Sequence, residues 1–323
     1  MKRMLQTLIG VMLACAAAVA SAQTYPTKAV RVVVPYPAGG YYDLLARVIG
    51  AKLAETWSQP FVVENRVGAN GIIGTDYVAK SVPDGYTIMM GGIGPHGINP
   101  SMYPKLPYNP IRDFAPIIHV ASAPNVLVVH PSVNARSVKE LIALAQSRPG
   151  DLTFSSAGTG SSQHLSGELF KLSSAVKMTH VPYKGSAPAV TAVLAGEVTL
   201  LFGTMADVVE HVRAGKLRAL AVTGARRIPA LADVPTMVEA GVPGYEATAW
   251  FGMLAPANTP RDIVVKLNLE INRVLQLPEV LARISQQGSA EILGGSPEQF
   301  GVFIRDEVAK WANVVKETGV KAE

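Results

Sequence analysis

Beyond its first 22 residues this 323-residue chain contains no cysteine, because the single Cys15 lies inside them. A disulfide framework, a thiolate nucleophile and a cysteine-ligated metal site are excluded together. Paired metal ligands are missing as well. His96, His119, His130, His164, His180 and His211 show no H-E-x-x-H spacing, so no metal site and no cofactor are expected. There is no Walker lysine motif, and Gly68-x-x-Gly71-x-x-Gly74 has the wrong spacing for a dinucleotide loop. No G-x-S-x-G elbow marks a hydrolase serine. Past residue 22 no run reaches the ~20 uninterrupted apolar residues that a membrane span requires. Excess charge is also small: 29 Lys and Arg against 24 Asp and Glu give +5, or +3 without Lys2 and Arg3. That is too little to argue for nucleic acid or a polybasic membrane patch.

The first 22 residues read as an export signal. Lys2 and Arg3 form a basic start, Met4 to Ala20 is almost wholly apolar, and Ala20-Ser21-Ala22 supplies small residues for cleavage. Cleavage after Ala22 is expected, leaving 301 residues from Gln23 in an exported compartment. Met12-Leu13-Ala14 before Cys15 is a poor lipidation box.

The remainder alternates strand-like and helix-like segments, which predicts an α/β fold with parallel strands. Val30 to Val34, Phe61 to Glu64 and Tyr86 to Met90 read as strands, with a helix over Leu44 to Glu55 between the first two. A second such run starts near Asn125: strands Val126 to Val129, Leu152 to Phe154, Met178 to Val181, Val198 to Phe202 and Lys216 to Val222, with intervening helices. The C-terminal part reads as three helices opening at Pro260, Pro278 and Pro297, where a missing N–H costs nothing. Two hinge-like stretches, Ser122-Ala123-Pro124 and Gly241 to Trp250, divide the chain. Residues 23–123 with 246–323 form a discontinuous first domain, and 124–245 an inserted second one.

Two strand–glycine–helix junctions stand out, one in each half. The first is Pro35-Tyr36-Pro37-Ala38-Gly39-Gly40-Tyr41-Tyr42-Asp43, and the second runs from Ser155 to His164. Such junctions leave backbone N–H groups unpaired at the positive end of a helix dipole and can hold an anion. Each also reads as an ordinary turn or surface loop. Asp43 fits either the helix dipole or a solvated pair with Arg47. The candidate residues of the second junction are Ser156, Ala157, Gly158, Thr159, Gly160, Ser161, Ser162 and His164. Ser161 with His164 is a remote nucleophile–base alternative. His164 otherwise reads as a loop donor or a helix-start packing residue. Two further junctions add Gly94 and His96, then Tyr183 and Lys184, with Thr204 at another strand end. In open α/β sheets ligands sit outside the carboxyl ends of the strands, so these junctions can converge on one crevice.

Taken in order, these segments resemble the periplasmic solute receptors of tripartite tricarboxylate transporters, the Bug family. The resemblance covers essentially the whole chain after the leader. It rests on the loop at 35–43, Val63-Glu64-Asn65-Arg66, Pro83-Asp84-Gly85-Tyr86-Thr87 and Ser156-Ala157-Gly158-x-Gly160-Ser161. His164-Leu165-x-Gly167-Glu168-Leu169-Phe170, His180 to Gly185, Gly215 to Val222, Asp233-Val234-Pro235-Thr236 and Trp250-Phe251-Gly252 complete it. The resemblance implies a two-lobed type II periplasmic binding protein, or Venus flytrap, with two mixed sheets flanked by helices. It implies no enzyme, but a monomer that closes on a small organic carboxylate and hands it to a membrane permease. Amides and hydroxyls of the two glycine-rich loops would hold the carboxylate. A sensing role beside a two-component regulator is the alternative.

This chain departs from the usual pattern at Tyr41-Tyr42, at Val67 and Asn70, and at Phe202-Gly203, which no aspartate follows. The last departure argues against an amino-acid ligand. The two tyrosines suit a flat or aromatic carboxylate, an aromatic dicarboxylate included.

Overall fold

The computed structural model describes residues 25–285 and 291–321. The expected export signal therefore lies outside the described residues. β1 (Val30–Val34) pairs in parallel with β2 (Phe61–Asn65) and β3 (Thr87–Gly92), and α1 (Tyr41–Trp57) makes the β1–β2 crossover. Leu45, Ile49 and Leu53 recur four residues apart on α1 and are all fully buried against this sheet. α2 (Ile72–Ala79) precedes β3; after β3 come a π-helical turn, Ile93–Ile98, and the short α3 (Asn99–Met102).

β4 (Phe114–Val129) is one strand of 16 residues, where the sequence suggests two pieces around Ser122-Ala123-Pro124. Up to Pro124 it pairs antiparallel with β9 (Thr248–Pro256), and β9 pairs antiparallel with β3. From Asn125 onward it pairs instead with β7 (Leu200–Thr204), and from Val126 with β8 (Arg218–Val222). β7 continues in parallel to β5 (Thr153–Ser156), which pairs with β6 (Thr179–Pro182). Both halves are therefore mixed rather than purely parallel, and β4 passes from one to the other. Proline has no ladder N–H to give, and Pro124 sits at the residue where β4 changes partners. Ser-Ala-Pro punctuates the sequence without breaking the strand. The stretch expected as the second hinge instead leads into β9, whose Ala249 to Pro256 are all buried.

Helices α4 (Val138–Ser147), α5 (Ser162–Ser174), α6 (Ser186–Leu194) and α7 (Met205–Arg213) serve the second half. α8 (Arg261–Leu275), α9 (Pro278–Ser285) and α10 (Pro297–Thr318) return to the first, where β10 (Glu291–Ile292) pairs with β4. α10 opens with a Ser296–Gln299 capping box. Its buried Glu307 accepts hydrogen bonds from the indoles of Trp250 (2.9 Å) and Trp311 (2.8 Å), which fixes the helix on β9.

Candidate functional site

The α1 junction is an extended loop of exposed residues, Pro37 to Gly40, ended by the helix itself. Gly40 is the N-cap and provides no side chain, so the first-turn N–H groups of Tyr41, Tyr42 and Asp43 have no partner among the described residues. Asp43 does not face outward as a ligand contact. Its carboxylate is buried and accepts from Gly39 N (3.0 Å), Arg47 Nε (2.9 Å) and Asn65 Nδ2 (3.0 Å). The Arg47 guanidinium, with help from Gly39 and Asn65 and against the cost of burial, lowers its pKa to about 2. Asp43 thus holds the loop from behind.

The tyrosines pack together beside this helix start. Tyr36 and Tyr42 lie with ring centroids 4.6 Å apart, and Tyr42 meets the edge of Phe251 at 4.7 Å. A Cβ at Gly92 or Gly94 would lie 2.4 Å from the hydroxyl of Tyr42 or Tyr36 respectively, so these phenols fit only because glycines stand at the end of β3 and just beyond it. Tyr41 points elsewhere: it meets Phe251 at 4.9 Å and donates to Ile284 O at 3.3 Å. Burial raises all three phenols well above their ordinary pKa, so they act as neutral donors.

The α5 junction is wired from inside the second half. Ala157 N donates to Gln163 Oε1 (2.8 Å) and Gly158 N to Ser156 Oγ (3.1 Å). Gly160 N donates to His164 Nδ1 (3.1 Å), and Ser161 N to Gly158 O (3.1 Å). Gln163 donates onward to Ser186 Oγ (2.8 Å), and Ser186 to Asp207 (2.5 Å), to which Thr204 also donates. The glycine-rich loop therefore spends most of its own amides on its shape. The N–H groups of Thr159, Ser162 and Gln163 remain without a partner among the described residues, the last two in the first turn of α5. The hydroxyls of Ser162 and Thr159 belong to half-buried residues beside them.

Several expected ligand residues have side chains engaged within the protein. Ser156 is fully buried and pairs with His180 Nε2 at 2.7 Å. His164 is 3% exposed and holds the loop rather than a ligand. Ser161 Oγ caps α5 by accepting His164 N at 3.2 Å, and the imidazole faces Gly160 instead, so the nucleophile–base alternative has no geometry. His96 is wholly buried against Phe114 (4.9 Å) and Trp250 (6.4 Å), and burial lowers its pKa to about 3. The Thr204 hydroxyl is committed to Asp207. Tyr183 packs half-buried on the second core, and Lys184 is exposed without an ion pair among the described residues.

The two junctions meet across the boundary through residues that the motifs mark only as a departure or not at all. A Cβ on Gly160 would lie 3.2 Å from Met102 Sδ and 3.5 Å from Asn70 Nδ2. Asn70 adopts the left-handed region (φ 50°) and exchanges hydrogen bonds with buried Asn99, both at 3.0 Å. A Cβ on Gly71 would lie 3.4 Å from the Tyr36 hydroxyl. Gly160, Asn70 and Tyr36 are thus neighbours in space. Among the described residues no group of three or more metal-binding side chains comes together.

Two half-sheets share a strand that switches partners, and each carries a helix start that follows a glycine-rich loop. Comparison with known proteins shows the family. The profile of the tripartite tricarboxylate transporter family receptor matches residues 45–320. Protein BugT of Bordetella pertussis is 41% identical over 98% of this chain and 98% of its own. The R. palustris protein Rpa4515, solved with adipate, is 42% identical, with a TM-score of 0.79 over 92% of this chain and 99% of that one. MatC from Rhodopseudomonas palustris, solved with bound malate, is 34% identical, with a TM-score of 0.76 over 90% and 100%. The chain belongs to the tripartite tricarboxylate transporter receptor family. That makes it a solute-binding protein of a periplasmic family whose members bind small carboxylates and work with transporter permeases, and not an enzyme.

Proposed function

We propose that this protein captures a small organic dicarboxylate between the N-termini of α1 and α5 and delivers it to a permease of the tripartite tricarboxylate type. One carboxylate sits on the amides of Tyr41 to Asp43, the other on those of Ser162 and Gln163. The observation that carries this reading is two helix starts with unpartnered N–H groups, one on each half-sheet, with Gly160 beside one of them lying close to Met102 and Asn70 of the other half. No lysine or arginine is needed, because two dipole ends and neutral hydroxyls supply the donors. Adipate and malate, held by the two relatives above, are both dicarboxylates. The switch of β4 at Pro124/Asn125 supports domains of 23–123 plus 246–323 and of 124–245. Export with cleavage after Ala22, a monomeric state and no nucleic-acid partner belong to the same reading.

A second reading, a flat aromatic dicarboxylate, draws on the Tyr36–Tyr42–Phe251 cluster beside the α1 amides. A thermal-shift screen separates the two. An acid at ~100 times its Kd adds about 2.7 kcal/mol, a shift of several degrees. Shifts with adipate or malate but not with their monoamides support the main reading. A response confined to benzene dicarboxylates supports the second, and no response to any carboxylic acid overturns both.

A further inference from the structure

The α5 loop is held by an imidazole whose protonation state matters. His164 Nδ1 accepts the Gly160 amide, so this nitrogen carries no proton and the neutral ring has its hydrogen on Nε2. Nε2 lies 3.7 Å from Glu168 Oε1, and Glu168 is buried with Lys171 Nζ at 2.8 Å. From β6, His180 stacks on His164 with centroids 3.8 Å apart and planes 15° apart. From β5, Phe154 lies nearly parallel to His164 at 6.2 Å and 30° from the plane of His180 at 4.9 Å. Among the described residues, the charged and titratable groups facing His164 are Glu168, Lys171 and His180. Burial lowers the His180 pKa to about 4, with His164 and Lys171 beside it adding to the shift and Glu168 opposing it.

We propose that His164 is a positioning residue for the ligand loop: it fixes Gly160 by accepting its N–H, and protonating this imidazole frees the loop and lowers ligand affinity. A proton on Nδ1 would set two donors, N–H against N–H, face to face at Gly160. The new cation would gain Glu168 on its other side, so the ring has somewhere to put the charge while the loop loses its anchor. Gly160 is also the residue that meets Met102 and Asn70, so a displaced Gly160 disturbs the contact between the half-sheets. The affinity consequence rests on the carboxylate reading above; the coupling between His164 and Gly160 does not.

The test follows both parts on the mature protein. In ¹⁵N spectra recorded as the protein is acidified, the Gly160 amide should move with the same midpoint as the His164 ring. His164→Asn places an acceptor oxygen where Nδ1 lies and cannot titrate, so the Gly160 amide should stay fixed in that variant. His164→Phe keeps the stack on His180 and drops the acceptor, so it should show the displaced Gly160 signal at every pH. With adipate as probe, the wild type should lose about fivefold in affinity relative to His164→Asn at the acid end, the worth of one lost hydrogen bond. A Gly160 amide that stays still while His164 titrates, or a His164 that stays neutral throughout, overturns the proposal. Adipate that binds neither protein, with the Gly160–His164 coupling intact, counts against the dicarboxylate reading instead.

Discussion

Gly160 lies where the second half approaches Met102 and Asn70 of the first. Its φ of +79° disfavours any side chain, and a Cβ there would press on Met102 Sδ at 3.2 Å. Gly160→Ala should therefore weaken binding of the best acid at least about tenfold, beyond the ~1 kcal/mol of backbone strain. Gly150→Ala is the control: φ is +91° with nothing within 4 Å, so it carries the strain without the contact. Calorimetric affinities equal for wild type and Gly160→Ala would contradict this view of closure. Asp43 makes a different prediction. Asp43→Ala leaves Gly39 N and Asn65 without their acceptor and should cost about 2 kcal/mol in denaturant unfolding. Because its folded pKa is lowered, its stabilisation is complete above the unfolded value of about 4 and lost as the pH falls through about 2. An Asp43→Ala midpoint unchanged at neutral pH would show that the loop does not need this brace.

At the scale of elements, both helix starts are legible in the sequence, because glycine directly before an amphipathic run marks the point where a strand gives way to a helix. Leu45, Ile49 and Leu53 report α1 through their spacing, whereas Ser161, a ligand candidate in the sequence, caps α5. Which polar groups face the ligand is not legible. Asp43, His164 and Thr204 have the chemistry of binding residues, yet each side chain folds back on its own support. Asn70 and Met102 carry no motif, since their role depends on where Gly160 arrives from a distant part of the chain. The long strands β4 and β9 resemble hinges in sequence for the same reason: proline and glycine mark local breaks, while partner switching is a tertiary event. At that switch, buried Thr223 ties three segments together. Its hydroxyl accepts Asn125 N at 2.7 Å and lies 2.6 Å from Ala247 O. Thr223→Val strands the buried Asn125 amide and should lower unfolding free energy by about 1–3 kcal/mol. A variant as stable as the wild type would mean that the crossing is held by the ladders alone.

The whole molecule consists of two half-sheets joined by β4, and buried imidazoles contribute to its stability. His96 and His119 are buried outside the loops, and burial lowers their pKa values to about 3 and about 4. The unfolded chain protonates each near pH 6.5, so it gains protons first, and stability falls as the pH drops below that value. Each imidazole contributes up to about 1.4 kcal/mol per pH unit until its folded value is reached. Urea midpoints at about pH 7.5 and about pH 5 should therefore differ clearly, and equal midpoints would show that neither ring stays neutral in the fold. Ligand capture makes its own demand on the whole chain, since a dicarboxylate that bridges α1 and α5 favours the arrangement in which both are near. The measurement that tests this most directly is a crystal structure of the mature protein with the dicarboxylate that stabilises it best. Bridging capture predicts one carboxylate within about 3 Å of the Tyr41–Asp43 amides and the other within about 3 Å of those of Ser162 and Gln163. A ligand held by one half-sheet alone, or lodged away from both helix starts, would contradict it.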